Sequence, residues 1–126
     1  MIPGATVVWV ALAGAVGAPA RYVLDAWLDD RLDAAFPWGT FVVNVIGSVL
    51  FGLLVGLQHG GDITHRALTV FGLGFCGAFT TFSTHAVETV RLAEDGAYRH
   101  AAYNVIGTLV SCLLGAALGF GIAAAA

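Results

Sequence analysis

The sequence contains no lysine, and five arginines with eight acids carry all its formal charge across 126 residues. Charged residues make up 10% of the chain, against roughly 25% in a soluble domain. So little charge cannot cover a water-facing surface, which excludes an ordinary soluble domain. No basic stripe is present, so a nucleic-acid partner is not expected. Two cysteines, Cys76 and Cys112, lie in apolar stretches without metal-ligand spacing. They exclude a disulfide framework or a zinc site and read as small core hydrophobes. There is no phosphate-binding ATP motif and no catalytic constellation, so an enzyme is not expected. No arginine precedes the first apolar run, so Ala18-Pro19-Ala20 does not read as a signal-peptide cleavage site. The two-residue alternation of a transmembrane β-barrel is also missing.

What is present is hydrophobic. Apolar residues make up 59% of the chain, and the mean hydropathy is +0.88. With histidine taken as neutral, residues 1–20, 34–61, 67–87 and 101–126 carry no charge. Each stretch reaches the roughly 20 residues that a helix needs to cross about 30 Å of hydrocarbon. Inside lipid the backbone must satisfy its own hydrogen bonds, so these stretches are expected to be helices. The pattern predicts one all-α integral membrane domain over residues 1–126, with helices near 6–27, 38–58, 65–92 and 98–122. Trp27, Trp38 and Tyr98 fall near predicted helix ends, where amphipathic rings favour the interface.

The third helix is the unusual one. It is too long for the bilayer, and Gly72, Gly74 and Gly77 in its middle precede a hydroxyl run through Thr80, Thr81, Ser83 and Thr84. That composition predicts a helix broken mid-membrane, a device used where freed carbonyls face a cavity or an ion. Gly52 with Gly56, and Gly107, Ser111, Gly115 and Gly119, form four-residue ladders that let backbones approach closely. Arg31, Arg91 and Arg99, with Arg21 just inside, share one side of the membrane, and Arg66 lies on the other. A bias this weak suits insertion in either orientation. A fixed orientation, with the two arginine-bearing loops in the cytoplasm, is equally compatible.

The second helix carries Thr40, Asn44, Ser48, Gly52 and Gly56 at four-residue spacing, which is read as one face. A mid-membrane amide is costly without a partner. It is either interhelical glue or, with Thr40 and Ser48 beside it, part of a wetted path. Tyr103, Gly107 and Ser111 offer a matching face on the fourth helix, and Thr84 and Glu88 one on the third. Glu88 alternatively pairs with Arg91 at i+3. Neutral amide and hydroxyl donors, with the positive edges of aromatic rings, suit a small anion that must shed water. No carboxylate or lysine stands at a membrane centre to serve a cation or a proton-coupled carrier.

These segments resemble the bacterial fluoride channel family, Fluc (also called CrcB), over nearly the whole chain. Gly14-Ala15-Val16-Gly17-Ala18-Pro19-Ala20-Arg21-Tyr22 looks like the family's first-helix signature. Pro37-Trp38-Gly39-Thr40-Phe41-Val42-Val43-Asn44 with Gly47-Ser48 is similar to its second. Gly77-Ala78-Phe79-Thr80-Thr81-Phe82-Ser83-Thr84 with Glu88 is similar to its third. The resemblance implies a passive fluoride channel in the cell membrane that exports fluoride and so limits its toxicity. It implies an antiparallel, dual-topology dimer with two pores, formed with a second copy or a related chain. It implies a structural sodium ion on the dimer axis, held by the backbone carbonyls of Gly77 and Thr80. Asn44 would be the pore amide, and Phe82 would present a ring edge. Thr40, Ser48, Ser83, Thr84, Glu88, Tyr103 and Ser111 would supply the polar track and vestibule. Arg21 would stand at a pore mouth, or serve as a snorkelling anchor. The family's second phenylalanine, three residues after the first, is His85 here. Its imidazole can donate an N–H and can gain charge in the physiological pH range, or can simply pack between helices. The other readings are a small multidrug exporter and a non-conducting scaffold. The exporter would need a carboxylate within the first helix, but the first acid is Asp25, near that helix's end.

Overall fold

A computed structural model describes residues 3–126. The described residues are all-helical, with four spans long and apolar enough to cross a membrane among them: Gly4–Asp29, Trp38–Gly60, His65–Glu94 and Tyr98–Ala125. Their ends match the sequence prediction to within a few residues. We label α1 (Gly4–Asp29), α2 (Trp38–Gly60), α3 (residues 65–79), α4 (Phe82–Glu94) and α5 (Tyr98–Ala125). Helices α3 and α4 are the two halves of the third span.

Short connections stop and restart the helices with recognisable chemistry. Gly61 ends α2 at φ 85°, donating to the Gln58 carbonyl, while Asp62 N–H reaches Leu57. Those two bonds form a Schellman cap, which needs a left-handed residue that glycine supplies without steric cost. Thr64 then caps α3, its Oγ1 accepting from Ala67 N–H at 3.1 Å. Between α1 and α2, Asp29 Oδ1 accepts from Gly39 N–H at 3.3 Å and satisfies a first-turn donor of α2. Phe36, Trp38 and Phe41 cluster beside that turn.

Helices α2 and α5 pack most closely. A Cβ on Gly52 would run into the Ala116 backbone, and one on Gly119 would meet the backbone of Val49 and Leu53. The glycines are therefore spent on close backbone approach. Helix α1 packs on α3 in the same way, through Gly17 against Phe75 and Gly74 against Val10.

The bundle buries polar side chains beside apolar ones and exposes many large apolar ones. Thr40, Asn44, Asn104 and Thr108 are buried, whereas Trp9, Val16, Phe71, Leu73, Phe82, Leu113 and Leu114 are exposed. Exposed apolar patches on this scale mark a surface made for lipid or for a protein partner.

The third span differs from an even helix in two places. Residues Thr69–Cys76 widen into a π-turn, in which Gly77 N–H reaches back five residues to the Gly72 carbonyl. The helix then stops: Thr80 (φ −87°, ψ 161°) and Thr81 (φ −148°, ψ 124°) are both extended. The interruption falls on the hydroxyl pair, and the preceding glycines stay helical. A second π-turn, Tyr103–Gly107, opens α5.

Candidate functional site

A helix that stops inside an apolar bundle leaves backbone groups to be satisfied. Here side chains take that task. Asn44 on α2 forms a reciprocal pair with Thr81: Nδ2 donates to the Thr81 carbonyl at 2.9 Å, and Oδ1 accepts Thr81 N–H at 2.8 Å. Thr81 Oγ1 in turn accepts Thr84 N–H at 3.3 Å and caps α4. Arg21 reaches across from α1, and its Nη1 donates to the Thr80 carbonyl at 3.3 Å. The arginine expected at a pore mouth thus lies at the break within the single chain. Thr80 closes α3 by donating both its N–H and its hydroxyl to the Cys76 carbonyl.

A cavity of about 400 Å³ opens beside the break. Of the residues expected on a path, it gathers Asn44, Ser48, Phe82 and His85, together with Thr80. Asn44 is 8% exposed and Phe82 is 82% exposed. The amide is therefore fixed by its partners, while the ring projects outward from the chain. Phe82 and His85 lie with ring centroids 6.1 Å apart. His85 Nδ1 is buried without a hydrogen-bond partner. Ser48 donates to the Asn44 carbonyl at 2.8 Å.

Other expected residues lie elsewhere. Thr40 donates to Glu88 Oε1 at 2.9 Å, one layer nearer the loops, and Glu88 Oε2 is buried unpaired. Glu88 lines a second cavity of about 280 Å³ with Asp29, Arg91 and Asp95. Ser83 and Thr84 are exposed around the Thr81 hydroxyl. Tyr103 is exposed and Ser111 half-buried, and neither lines the 400 Å³ cavity.

The sequence reading missed the cavity's α5 wall, made by Val105, Thr108, Leu109 and Cys112. It also missed Asn104, which is completely buried. Asn104 Nδ2 donates to Thr89 Oγ1 at 2.8 Å, and Thr89 donates on to the His85 carbonyl at 2.8 Å. Thr108 Oγ1 donates to Asn104 Oδ1 at 3.4 Å. The available signal was polarity at 104 and 108, four residues apart.

Among the described residues, no group of three or more His, Cys, Asp or Glu gathers to hold a metal. Any cation would have to use other oxygens. Gly77 and Thr80 line one groove of about 320 Å³, with Gly47, Ser48 and Phe51 opposite. Thr81 N–H, the donor that a continuous helix would give the Gly77 carbonyl, is taken by Asn44. Thr84 N–H, the equivalent donor for Thr80, is taken by Thr81 Oγ1. A carbonyl has two lone pairs, so Arg21 occupies one at Thr80 and leaves another. Hard cations prefer such oxygens, so the residues present fit a sodium ion.

Four apolar spans around a buried polar seam define a small helical membrane protein. The chain matches the family described as "CrcB-like protein, Camphor Resistance (CrcB)" over residues 8–120. It is 44% identical over 121 residues to "Fluoride-specific ion channel FluC 1" of Frankia casuarinae, covering 92% of this chain and 94% of that one. It is 50% identical over 107 residues to the protein of the same name from Streptomyces avermitilis, covering 84% and 86%. It is 48% identical over 120 residues to "Fluoride-specific ion channel FluC 2" of Natronomonas pharaonis, covering 95% and 96%. The chain belongs to the CrcB family and is a multi-pass membrane protein.

Proposed function

We propose that this chain is one subunit of a passive, fluoride-selective channel, a single domain that works as an antiparallel dimer. The observation that carries this reading is the cavity beside the Thr80–Thr81 break, walled by Asn44, Phe82, His85 and Thr108. The relatives' shared name supplies the ion.

Fluoride holds water strongly, so a pore must replace that water with close donors. One Nδ2 hydrogen of Asn44 is engaged by Thr81, and an amide carries two. The second is available to an anion. The His85 ring adds an N–H, and Phe82 adds a ring edge of positive partial charge. The exposure of Phe82 on the single chain supports a ring that meets a path shared with a partner subunit. Tyr103 and Ser111, exposed or half-buried on one subunit, would join the track from the same interface. Thr40, Glu88, Ser83 and Thr84 would serve the vestibule.

A narrow track of this kind excludes the larger chloride by fit and by donor placement. Flow down a gradient lets fluoride leave after hydrofluoric acid has entered and dissociated, which protects the cell. In this reading the break lies at membrane depth, and the carbonyls of Gly77 and Thr80, contributed by both subunits, hold a structural sodium ion. That ion ties the two subunits together and takes no part in transport.

The test is fluoride efflux from liposomes that hold the purified protein, followed with a fluoride electrode. Efflux well above that of protein-free liposomes is expected. Vesicles that stay as tight as empty ones overturn the reading.

A further inference from the structure

The Thr80–Thr81 break competes with an unbroken helix. In an unbroken third span, Thr81 N–H would bond the Gly77 carbonyl and Thr84 N–H the Thr80 carbonyl, each four residues back. Both donors are instead held by side chains. Asn44 Oδ1 takes Thr81 N–H at 2.8 Å, and Thr81 Oγ1 takes Thr84 N–H at 3.3 Å. Asn44 Nδ2 also covers the Thr81 carbonyl at 2.9 Å, so the extended residue is satisfied on both sides. The Thr81 amide is part-buried and Thr84 is exposed on the single chain, and a backbone donor away from water seldom goes unpaired. Whatever captures these two donors therefore decides whether the two carbonyls stay open.

We propose that Asn44 and Thr81 are positioning residues that create the cation site by drawing off the two amide donors that would close it. This rests on the reading above that Gly77 and Thr80 hold sodium. Neither side chain needs to touch the ion. Asn44 holds the Thr81 amide off the Gly77 carbonyl, and Thr81 holds the Thr84 amide off the Thr80 carbonyl, leaving the latter with the Arg21 bond and one open lone pair. Both carbonyl-bearing residues then line one groove. The pore amide and the cation site would thus be two uses of one asparagine. Its Oδ1 and one Nδ2 hydrogen shape the break, and its other Nδ2 hydrogen faces the cavity.

The experiment is thermal melting of detergent-purified protein titrated with sodium chloride, the remaining ionic strength made up with N-methylglucamine chloride. Binding to the folded state raises the melting temperature in proportion to the logarithm of sodium above its dissociation constant. Thr81→Val removes the acceptor at nearly constant shape. It should raise the sodium concentration at which the melting temperature begins to climb about tenfold, which corresponds to ~1.4 kcal/mol. Thr81→Ser keeps an Oγ acceptor and should respond like the parent. If Thr81→Val does not survive purification, Asn44→Ala reads the same shift by releasing Thr81 N–H toward Gly77. A parent protein indifferent to sodium overturns the sodium reading and this one with it. A parent that responds, beside Thr81→Val or Asn44→Ala responding at the same concentration, overturns this proposal alone. So does a Thr81→Ser shift as large as that of Thr81→Val.

Discussion

Helices α2 and α5 both carry small or polar residues at every fourth position, yet the two ladders meet the cavity differently. On α2, Asn44 and Ser48 line it, and Thr40 sits one turn away on Glu88. On α5, the rungs Tyr103, Gly107 and Ser111 lie off the cavity, and Thr108 and Cys112 line it. Helical geometry explains the difference. At 3.6 residues per turn, four residues overshoot a full turn by about 40°. A four-residue ladder therefore winds around its helix. On α2 the winding carries it from the break, where Asn44 meets Thr81, to α5, where Gly52 and Gly56 meet Ala116 and Ala123. On α5 the anchored rungs are Gly115 and Gly119 against α2. Two steps upstream, at Gly107, the ladder has turned about 80° away; beyond it lies the π-turn Tyr103–Gly107, and Asn104 and Thr108 hold the buried positions.

The comparison can be broken most decisively at Asn44. Asn44→Asp keeps the size of the side chain but sets a carboxylate against the Thr81 carbonyl and the cavity. Fluoride efflux from vesicles should fall at least ~100-fold, about 2.7 kcal/mol. A variant that conducts like the parent would separate Asn44 from the path. The next effect is structural. Gly52→Val places a branched side chain against the Ala116 backbone, and overpacking of this kind costs about 1–3 kcal/mol or more. Thermal melting in detergent should show it as a large loss of folded protein. Gly107→Ala, on the drifted part of the α5 ladder, meets nothing within 4 Å and should stay within about 0.5 kcal/mol of the parent. Equal losses at both glycines would contradict the winding ladder.

A smaller effect sharpens the assignment of the α5 face. Asn104→Leu removes the link between Thr89 and Thr108 and leaves the buried Thr108 hydroxyl without its partner, at a cost of about 1–3 kcal/mol. The melting temperature should drop and efflux should slow. Smallest of all is the contrast between Thr108→Val and Ser111→Ala. The single-chain cavity holds Thr108 and not Ser111, so Thr108→Val should slow efflux more. Equal slowing would contradict this ranking by giving the interface residue Ser111 the same weight as the cavity residue Thr108.

Much of the fold was legible because charge and hydropathy act locally. Long uncharged runs marked out the four spans, and Gly61 and Thr64 mark one connection in chemistry that any helix end uses. The break was legible as a region and not as a position. Glycine tolerates many backbone states, so Gly72, Gly74 and Gly77 drew attention. Yet the packing of α1 against Gly74 keeps that stretch helical, and the widened turn absorbs its irregularity. What fixes the break at Thr80–Thr81 is Asn44, 37 residues away in sequence. The contact between Arg21 and Thr80 spans 59 residues. Neither pairing leaves a local pattern. They depend on how α1 and α2 cross the third span, and so on tertiary packing.

The most direct measurement compares fluoride with chloride in the same reconstituted vesicles, each anion followed by its own electrode after potassium is released with valinomycin. Donors fixed around a break, close enough to replace the water of the smallest halide, predict fluoride efflux at least ~100-fold faster than chloride, a difference of about 2.7 kcal/mol. Chloride leaving at a comparable rate, or fluoride staying inside, would contradict the role of Asn44 and the cavity beside it as a fluoride path.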